Sequence, residues 1–226
     1  MLRVELHCHT IYSKDSLLRP ERLLQACRRK GIDRVAITDH NTTAGALAAQ
    51  QLDPERVIVG EEIMTQAGEL LAFFVSQEVP PGLPPREAIR RLRDQGAFIS
   101  VSHPFDSLRN GHWEKEDLLE ILPFVDAIET FNARCMDAMF NRQAGDFARQ
   151  HGVLGTAGSD AHAAFELGRA TMLLPEFHEA QSFKQALLES KVEARLSSPF
   201  VHFTSRYAVW VKKLNPRLGK NPTSFT

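Results

Sequence analysis

The sequence predicts an α/β protein built as a closed or nearly closed β/α barrel, and three observations carry that expectation. Strand-like apolar runs alternate with stretches of helical spacing along most of the chain, the pattern of a mainly parallel sheet with helices outside. The runs supply about seven or eight strands, and no Gly-x-Gly-x-x-Gly turn marks a doubly wound sheet. Most runs also close on a His, Asp or Glu, and the carboxyl ends of barrel strands meet at one face.

The strand-like runs are LRVEL (2–6), RVAIT (34–38), RVIVG (56–60), LLAFFV (70–75), AFISVS (97–102), DAIETF (126–131), GVLGTA (152–157) and ATMLL (170–174). Between the first two, residues 20–30 put Leu23, Leu24 and Cys27 on one stripe, with Pro20 in the first turn and Gly31 as the stop. Residues 85–95 do the same with Ala88, Ile89 and Leu92 before Gly96. Stretches 115–122, 135–150 and 176–190 also read as helices, with Met136, Met139 and Phe140 as an expected buried stripe. The PPGLPP segment (80–85) is a loop rather than a linker, because the alternation resumes at once. A barrel over 1–198 and a basic tail over 199–226 are therefore expected.

A chain of 226 residues can bury one full core. With 43% hydrophobic and 24% charged residues and a net charge of −1, composition alone names no partner. No apolar run reaches the roughly 18–20 residues of a membrane span, and the first residues lack the apolar stretch of a signal peptide. The three cysteines, Cys8, Cys27 and Cys135, include no CxxC pair, which argues against a disulfide framework or a cysteine-built zinc knuckle and for a reduced, cytoplasmic protein. Glu193 is the last acidic residue, and Arg195, Arg206, Lys212, Lys213, Arg217 and Lys220 follow it unbalanced. That end reads either as a solvated tail or as a track for a nucleic-acid backbone.

The strand ends share one grammar. HCHTIYSKD places His7 and His9 on one face at the end of the first run, where two imidazoles can grip one cation. Later runs lead into TDHN (Asp39, His40), GEE (Glu61, Glu62), SHPF (His103) and GSDAH (Asp160, His162). Five of the nine histidines fall in these slots. A centre holding several metal ions through imidazole and carboxylate ligands accounts for this clustering.

The set HCHT…TDHN…GEE…SHPF…GSDAH resembles the PHP (polymerase and histidinol phosphatase) family of metal-dependent phosphoesterases, and ELGRATMLLP is similar to the start of its short C-terminal segment. The resemblance implies a distorted seven-stranded β/α barrel with two or three divalent ions (Mn, Fe or Zn). It makes His7, His9, Glu62 and Asp160 ligands of a first metal, with Glu62 bridging to a second that also takes His103. Asp15, His40 and His162 become ligands of a third. Many members carry a histidine where this chain has Glu69, and a carboxylate there would favour Mn²⁺ or Fe²⁺ over Zn²⁺; the alternative is a solvent-facing loop glutamate. The family's Ser-Asp-Gly is Ser13–Lys14–Asp15–Ser16 here, so the register at Asp15 is open by one residue. Glu61 is the neighbouring alternative to Glu62, and strand alternation allows only one of them into the site.

Such a centre suits phosphate-ester hydrolysis, because divalent ions lower the pKa of water and offset charge on phosphoryl oxygens. Asp160, His162 and His40 are the expected catalytic residues, with His162 or His40 protonating the leaving group. Arg134, Arg169 and Asn132 are candidate substrate contacts at the barrel mouth, where either arginine could fork onto a phosphate or pair with an acid. Asp39 is expected to orient a ligand histidine, while Lys14 and Arg109 sit on rim loops. His112, His151, His178 and His202 match no ligand slot, and Cys8 is expected in the barrel wall. The substrate expected is a phosphorylated small molecule or short nucleic acid, with no membrane and no obligate protein partner. The order of preference is a nucleotidase or exonuclease, then a histidinol-phosphate-type phosphatase, then a non-catalytic metal-binding accessory module.

Overall fold

A computed structural model describes residues 1–219. Its strands are β1 (Leu2–Glu5), β2 (Arg34–Ile37), β3 (Val57–Met64), β4 (Glu69–Phe73), β5 (Phe98–Val101), β6 (Ala127–Asn132), β7 (Leu154–Gly158), β8 (Ala170–Leu174) and β9 (Lys191–Ala194). The helices are α1 (Pro20–Arg29), α2 (Ala44–Leu52), α3 (Pro85–Arg93), α4 (Lys115–Ile121), α5 (Ala138–His151), α6 (Ala180–Leu187) and α7 (Val201–Leu214). The strands form one nine-stranded sheet in the order β7-β6-β5-β4-β3-β2-β1-β8-β9. A parallel bridge between Cys8 and Ala161, with His9 N donating to Ala161 O at 2.8 Å, brings the end of β7 back against the chain leaving β1. The first seven strands thus run round a nearly closed barrel in sequence order; β8, the expected run 170–174, and β9 extend the sheet beyond the seven strands that the family resemblance implies.

The sheet is less parallel than the alternation suggests. β4 runs antiparallel to both β3 and β5, and β8 runs antiparallel to β1 and β9. The cause is local: Thr65 closes a tight turn, accepting from Gly68 N and donating to Gly68 O, so no helix is inserted between β3 and β4. β3 continues through Glu61 and Glu62 rather than stopping before them.

Alternation along the strands sorts residues into two layers. Val35, Ile37, Val57, Val59, Leu70, Ala72, Ile99 and Val101 share one cluster with Leu23, Leu24 and Cys27 of α1 and Ile89 and Leu92 of α3. Ala36, Ile58, Leu71, Phe73 and Phe98 form the other with Phe177 and Phe183, whose rings lie 5.0 Å apart and close one end of the barrel. Continuing along the same inward face brings His40, Glu62, Glu69, Ser102 and Glu129 to the opposite end. The barrel is therefore apolar at one end and ionisable at the other. Cys8 belongs to the outer cluster, as expected.

Several helices differ from expectation. α5 starts at Ala138, because Asp137 Oδ1 caps it by accepting from Met139 N at 2.7 Å. The methionine stripe is not buried: Met136 and Met139 are exposed, and Asn141, Ala144, Phe147 and Ala148 face inward. α6 is shorter than 176–190, held at its start by a capping box between Glu179 and Ser182. The described part of the basic tail is not a solvated end; it folds as α7, fastened where Lys212 Nζ donates to Ile11 O at 2.5 Å. Lys220 lies outside the described residues. Among those described, no helix is long and apolar enough to cross a membrane.

Asp126 joins three elements away from the barrel mouth. Its carboxylate accepts from Arg93 Nη1 of α3 at 2.6 Å, Lys184 Nζ of α6 at 2.8 Å and Ile99 N of β5 at 3.0 Å. Burial pushes this carboxyl up, but the hydrogen bonds from Arg93 and Lys184 outweigh burial and hold it below its ordinary value. The stabilisation is present above the unfolded-state value near 3.9 and is lost as pH falls through the folded one. Asp126→Asn is expected to cost about 1–2 kcal/mol at pH 7, the low end because both cations are partly solvated. Its urea-unfolding midpoint should also fall less steeply than that of the parent between pH 5 and pH 3; an unchanged midpoint at pH 7 would refute the role.

Candidate metal centre

Each ionisable side chain reaches the barrel mouth on a strand end or the turn after it. Past β1 the chain presents His7 and His9, both fully buried, and Asp15 follows in the next turn. His40 follows β2, Glu62 lies within β3, Glu69 opens β4, His103 follows β5, and Asp160 and His162 follow β7. Three of the turns carry non-glycine residues in the left-handed region: Asn41 at φ 56°, His103 at φ 24° and Asp160 at φ 51°. Such backbone is costly and persists where the surroundings fix it. At Asn41 the fixing contact is visible, its Oδ1 accepting from Met64 N at 2.8 Å.

The side chains form three adjoining groups. In the first, His7 Nε2 stands 3.3 Å from Glu62 Oε1 and 3.7 Å from Asp160 Oδ1. His9 Nε2 stands 3.5 Å from Glu62 Oε2 and 3.2 Å from Asp160 Oδ1. In the second, His103 Nε2 is 3.3 Å from both Glu62 Oε1 and Glu69 Oε2, and His40 Nδ1 is 3.0 Å from Glu62 Oε2. In the third, Asp15 Oδ2 lies 3.4 Å from His40 Nε2 and 3.2 Å from His162 Nε2. Glu62 belongs to the first two groups, and His40 stands between the second and third.

These residues fit a metal centre on two counts. Donors bound to one ion at about 2.1 Å stand about 3.0–3.4 Å apart, depending on coordination number, close to the separations present. His7 Nε2, His9 Nε2, Glu62 Oε2 and Asp15 Oδ1 are also buried without any hydrogen-bond partner. Buried polar atoms are rarely left unpaired, and several aimed at one space call for a ligand. His9, His40 and His162, His7, His9 and Glu62, and His40, Glu62 and Glu69 each bring three donor atoms within 4.8 Å of one another.

The charges are mutually dependent. Burial pushes Glu62 up, but His7 and His40 outweigh it and hold the carboxyl well below its ordinary value. Asp160 is held low in the same way by Arg109 and His7, against burial. Burial opposes protonation of His7 and His40, yet Glu62 foremost keeps both well above an ordinary imidazole. His103 is resisted by burial and Arg109 but raised to about 9 by hydrogen bonds with Glu62 and Glu69. His9 goes the other way, to about 3, through burial and the neighbouring His162 and His40.

A surrounding layer fixes these groups. Glu129 Oε1 lies 2.9 Å from His7 Nδ1, and Glu129 Oε2 accepts from His103 N at 3.0 Å. Asp39 reaches the histidines through Ser13, whose Oγ donates to Asp39 Oδ1 at 2.8 Å and lies 3.1 Å from His9 Nδ1. Ser102 Oγ donates to Glu62 Oε1 at 2.7 Å. Two glycines leave room for the centre: a Cβ on Gly158 would stand 2.3 Å from His7 Cβ, and one on Gly111 2.0 Å from Glu69 Oε2.

Glu69 is buried on β4, not on a solvent-facing loop. Glu61 faces away from the centre, accepting from Val79 N at 3.0 Å. The three expected substrate contacts differ in what they touch. Arg169 does not line the cavity at the mouth; Gly168 N donates to Glu5 Oε2 at 2.9 Å, turning the chain into β8 before Arg169 can reach it. Arg134 lines the cavity, but its Nη2 donates to Val201 O at 2.8 Å and Ser205 Oγ at 2.9 Å, and its Nη1 lies against His162. Asn132 Nδ2 donates to Glu129 Oε2 at 3.0 Å and Asp160 Oδ2 at 3.2 Å, which makes it a brace for the carboxylates. Arg109 is the more intimate arginine, donating to Asp160 Oδ2 and, at 3.0 Å, to Asp106 Oδ2. His202, expected to be uninvolved, lines the same cavity of about 330 Å³ beside Lys14 and Ser205. Sequence spacing gave no sign of either placement, since both depend on distant segments.

Ligation requires unprotonated imidazoles, and carboxylates hold protons on His7, His40 and His103 in the metal-free centre. Mn²⁺ uptake at pH 7 is therefore expected to release protons, and its affinity to rise as the pH is raised above 7. Calorimetry in buffers of different ionisation enthalpy checks this; uptake without proton release would count against the histidines as ligands.

Comparison with known proteins agrees with the layout. A profile of the PHP domain matches residues 5–79, and one of the PHP-associated segment matches 138–192. An uncharacterised protein of Methanocaldococcus jannaschii is 38% identical over 181 residues, 78% of this chain and 72% of its own length. A two-domain protein from Bacteroides vulgatus, described as containing a predicted PHP-like metal-dependent phosphoesterase, superposes with a TM-score of 0.70 at 20% identity. That match covers 86% of this chain and 65% of the two-domain protein, so the chain spans less than two thirds of it. A lesion-specific endonuclease from Pyrococcus furiosus shares the fold at a TM-score of 0.56 and 15% identity, over 84% of this chain and 57% of its own. Two profile matches, a relative of this identity and ionisable residues gathered at one barrel mouth lead to one conclusion: the chain belongs to the PHP family of metal-dependent phosphoesterases.

Proposed function

We propose that the protein hydrolyses phosphate esters of nucleotides or short oligonucleotides at a centre of two or three divalent ions. The observation that carries this reading is the continuity of the three donor groups through Glu62 and His40 at the floor of one open cavity. His7, His9, Glu62 and Asp160 would hold one ion, Glu62, Glu69 and His103 a second, and Asp15, His40 and His162 a third. Bound there, the ions would activate water and screen the charge on a phosphoryl group.

The chain's own residues do the rest. Glu129 takes the Nδ1 proton of His7 and so turns Nε2 towards the centre. Arg109 and Asn132 occupy Asp160 Oδ2, which leaves Oδ1 facing His7 and His9. Lys14 is exposed at the cavity rim, where its ammonium can meet a phosphate. His162, with Nδ1 2.8 Å from the Asp160 carbonyl, and His40 both line the cavity, and whichever of them is not ligating an ion would protonate the leaving oxygen. Residues 1–198 are assigned to the catalytic barrel and 199–226 to an appended segment. The endonuclease fold-relative from Pyrococcus furiosus supports a nucleic-acid-derived substrate.

The test is a time course of Mn²⁺-loaded protein on a short 5′-phosphorylated oligonucleotide and on 5′- and 3′-mononucleotides, following free phosphate and product length. Hydrolysis of either class is expected, and none with any of them would overturn the reading. Asp160→Asn should lower the rate about a hundredfold or more with an unchanged circular dichroism spectrum; full activity in the metal-replete variant would dismiss the assigned centre. Glu69→Gln should reduce bound Mn²⁺ by one ion per chain, and unchanged metal content and rate would make Glu69 a bystander.

A further inference from the structure

One face of α7 is left uncovered. Phe200, Phe203, Tyr207, Trp210 and Leu214 recur at intervals of three and four residues, and each is more than half exposed, from 57% at Trp210 to 74% at Phe200. Their rings come in pairs, Phe200 with Phe203 at 6.2 Å and Tyr207 with Trp210 at 6.0 Å. The opposite face is fixed to the barrel by Val201, Ala208 and the Lys212 ammonium. This stripe is not the usual solvent side of an amphipathic helix, which would be polar.

The charge beside the stripe is of one sign. α7 contains no acidic residue, and Arg206, Lys213 and Arg217 are exposed with no ion pair among the described residues. At about 100° per residue, Arg206 and Lys213 fall between the aromatic stripe and the flank carrying His202. His202 and Ser205 themselves line the cavity. From the cavity outward the helix thus offers a wall residue, then cations, then aromatic rings.

We propose that this face binds a single-stranded nucleic acid, its phosphates along Arg206, Lys213 and Arg217, its bases on the Tyr207 and Trp210 rings and its end towards the cavity. The direction of the strand rests on the phosphoesterase reading; the binding surface does not. A single strand supplies both things the face asks for, a polyanion and flat apolar rings, and stacking tolerates any base. A second copy fits less well: a symmetric contact through α7 would set its cations against their own copies with no carboxylate on the helix to offset them. An anionic bilayer would match the composition of the face but has no strand end to place in the adjoining cavity.

The experiment uses the full chain with chelator present, so that binding is read apart from hydrolysis. Trp113 is buried and Trp210 exposed, and they are the two tryptophans of the chain, so quenching on titration with a short oligothymidylate reports contact at α7. Quenching is expected, together with raised anisotropy of a labelled oligothymidylate. Tyr207→Ala and Trp210→Ala should each weaken binding about tenfold. Log affinity should fall with log salt at a slope of about −2, as three phosphate contacts require. Three results would overturn the proposal: no binding of the oligothymidylate; binding indifferent to both substitutions; or, without binding, dimerisation in sedimentation or quenching by phosphatidylserine vesicles. Mononucleotide hydrolysis without oligothymidylate binding would remove this proposal alone; binding without hydrolysis of any ester would remove the phosphoesterase reading alone.

Discussion

The barrel mouth takes five imidazoles and four carboxylates largely out of water, and the rest of the structure answers to that constraint. An isolated buried charge costs several kcal/mol, and only close opposite charge or a bound cation offsets it. Glu62 is the pivot, facing His7, His9, His40 and His103 from one strand. No short segment could supply these partners. They must arrive from separate strands that end at the same height, and a barrel provides that.

The layer behind the centre serves the same end. Glu5, fully buried, accepts from Ser159 N and Gly168 N, each at 2.9 Å, and so ties β1 to the turn that carries Asp160 and His162. Burial drives its carboxyl upward while these bonds pull it back. Glu129 and Asp39 act likewise on His7 and, through Ser13, on His9. The left-handed backbone at Asn41, His103 and Asp160 belongs to this design, since each lies where a strand must break to turn a side chain inward. Strain of that kind is tolerated where surrounding contacts leave the chain no alternative.

α7 joins the centre to the surface. Arg134 holds it with two hydrogen bonds from beside His162, and its own His202 and Ser205 complete the cavity wall. The segment that closes the site thus also carries the uncovered aromatic and cationic face.

The ionisable residues at the strand ends were legible in sequence because strand alternation and strand ends are local properties: HCHT, TDHN, SHPF and GSDAH each follow an apolar run within a few residues. That only one of Glu61 and Glu62 could enter the site followed from the same period of two, while the choice of Glu62 came from the family resemblance. The inverted β4, the extra strand β9 and helix α7 were not legible, whereas β8 was read as the run 170–174. The first depends on a turn of four residues, β9 on pairing with β8 through residues that are all exposed, and α7 on contacts with the barrel through Val201 and Ala208. Nor could spacing tell that Arg109 would meet Asp160 while Arg169 turned away, because these pairings join residues 51 or more positions apart or depend on Glu5 at the other end of the chain. The sequence by itself determined which residue types stand at the strand ends, since backbone geometry repeats every two residues. Only the tertiary structure decided which of them face one another, because that depends on how the sheet closes.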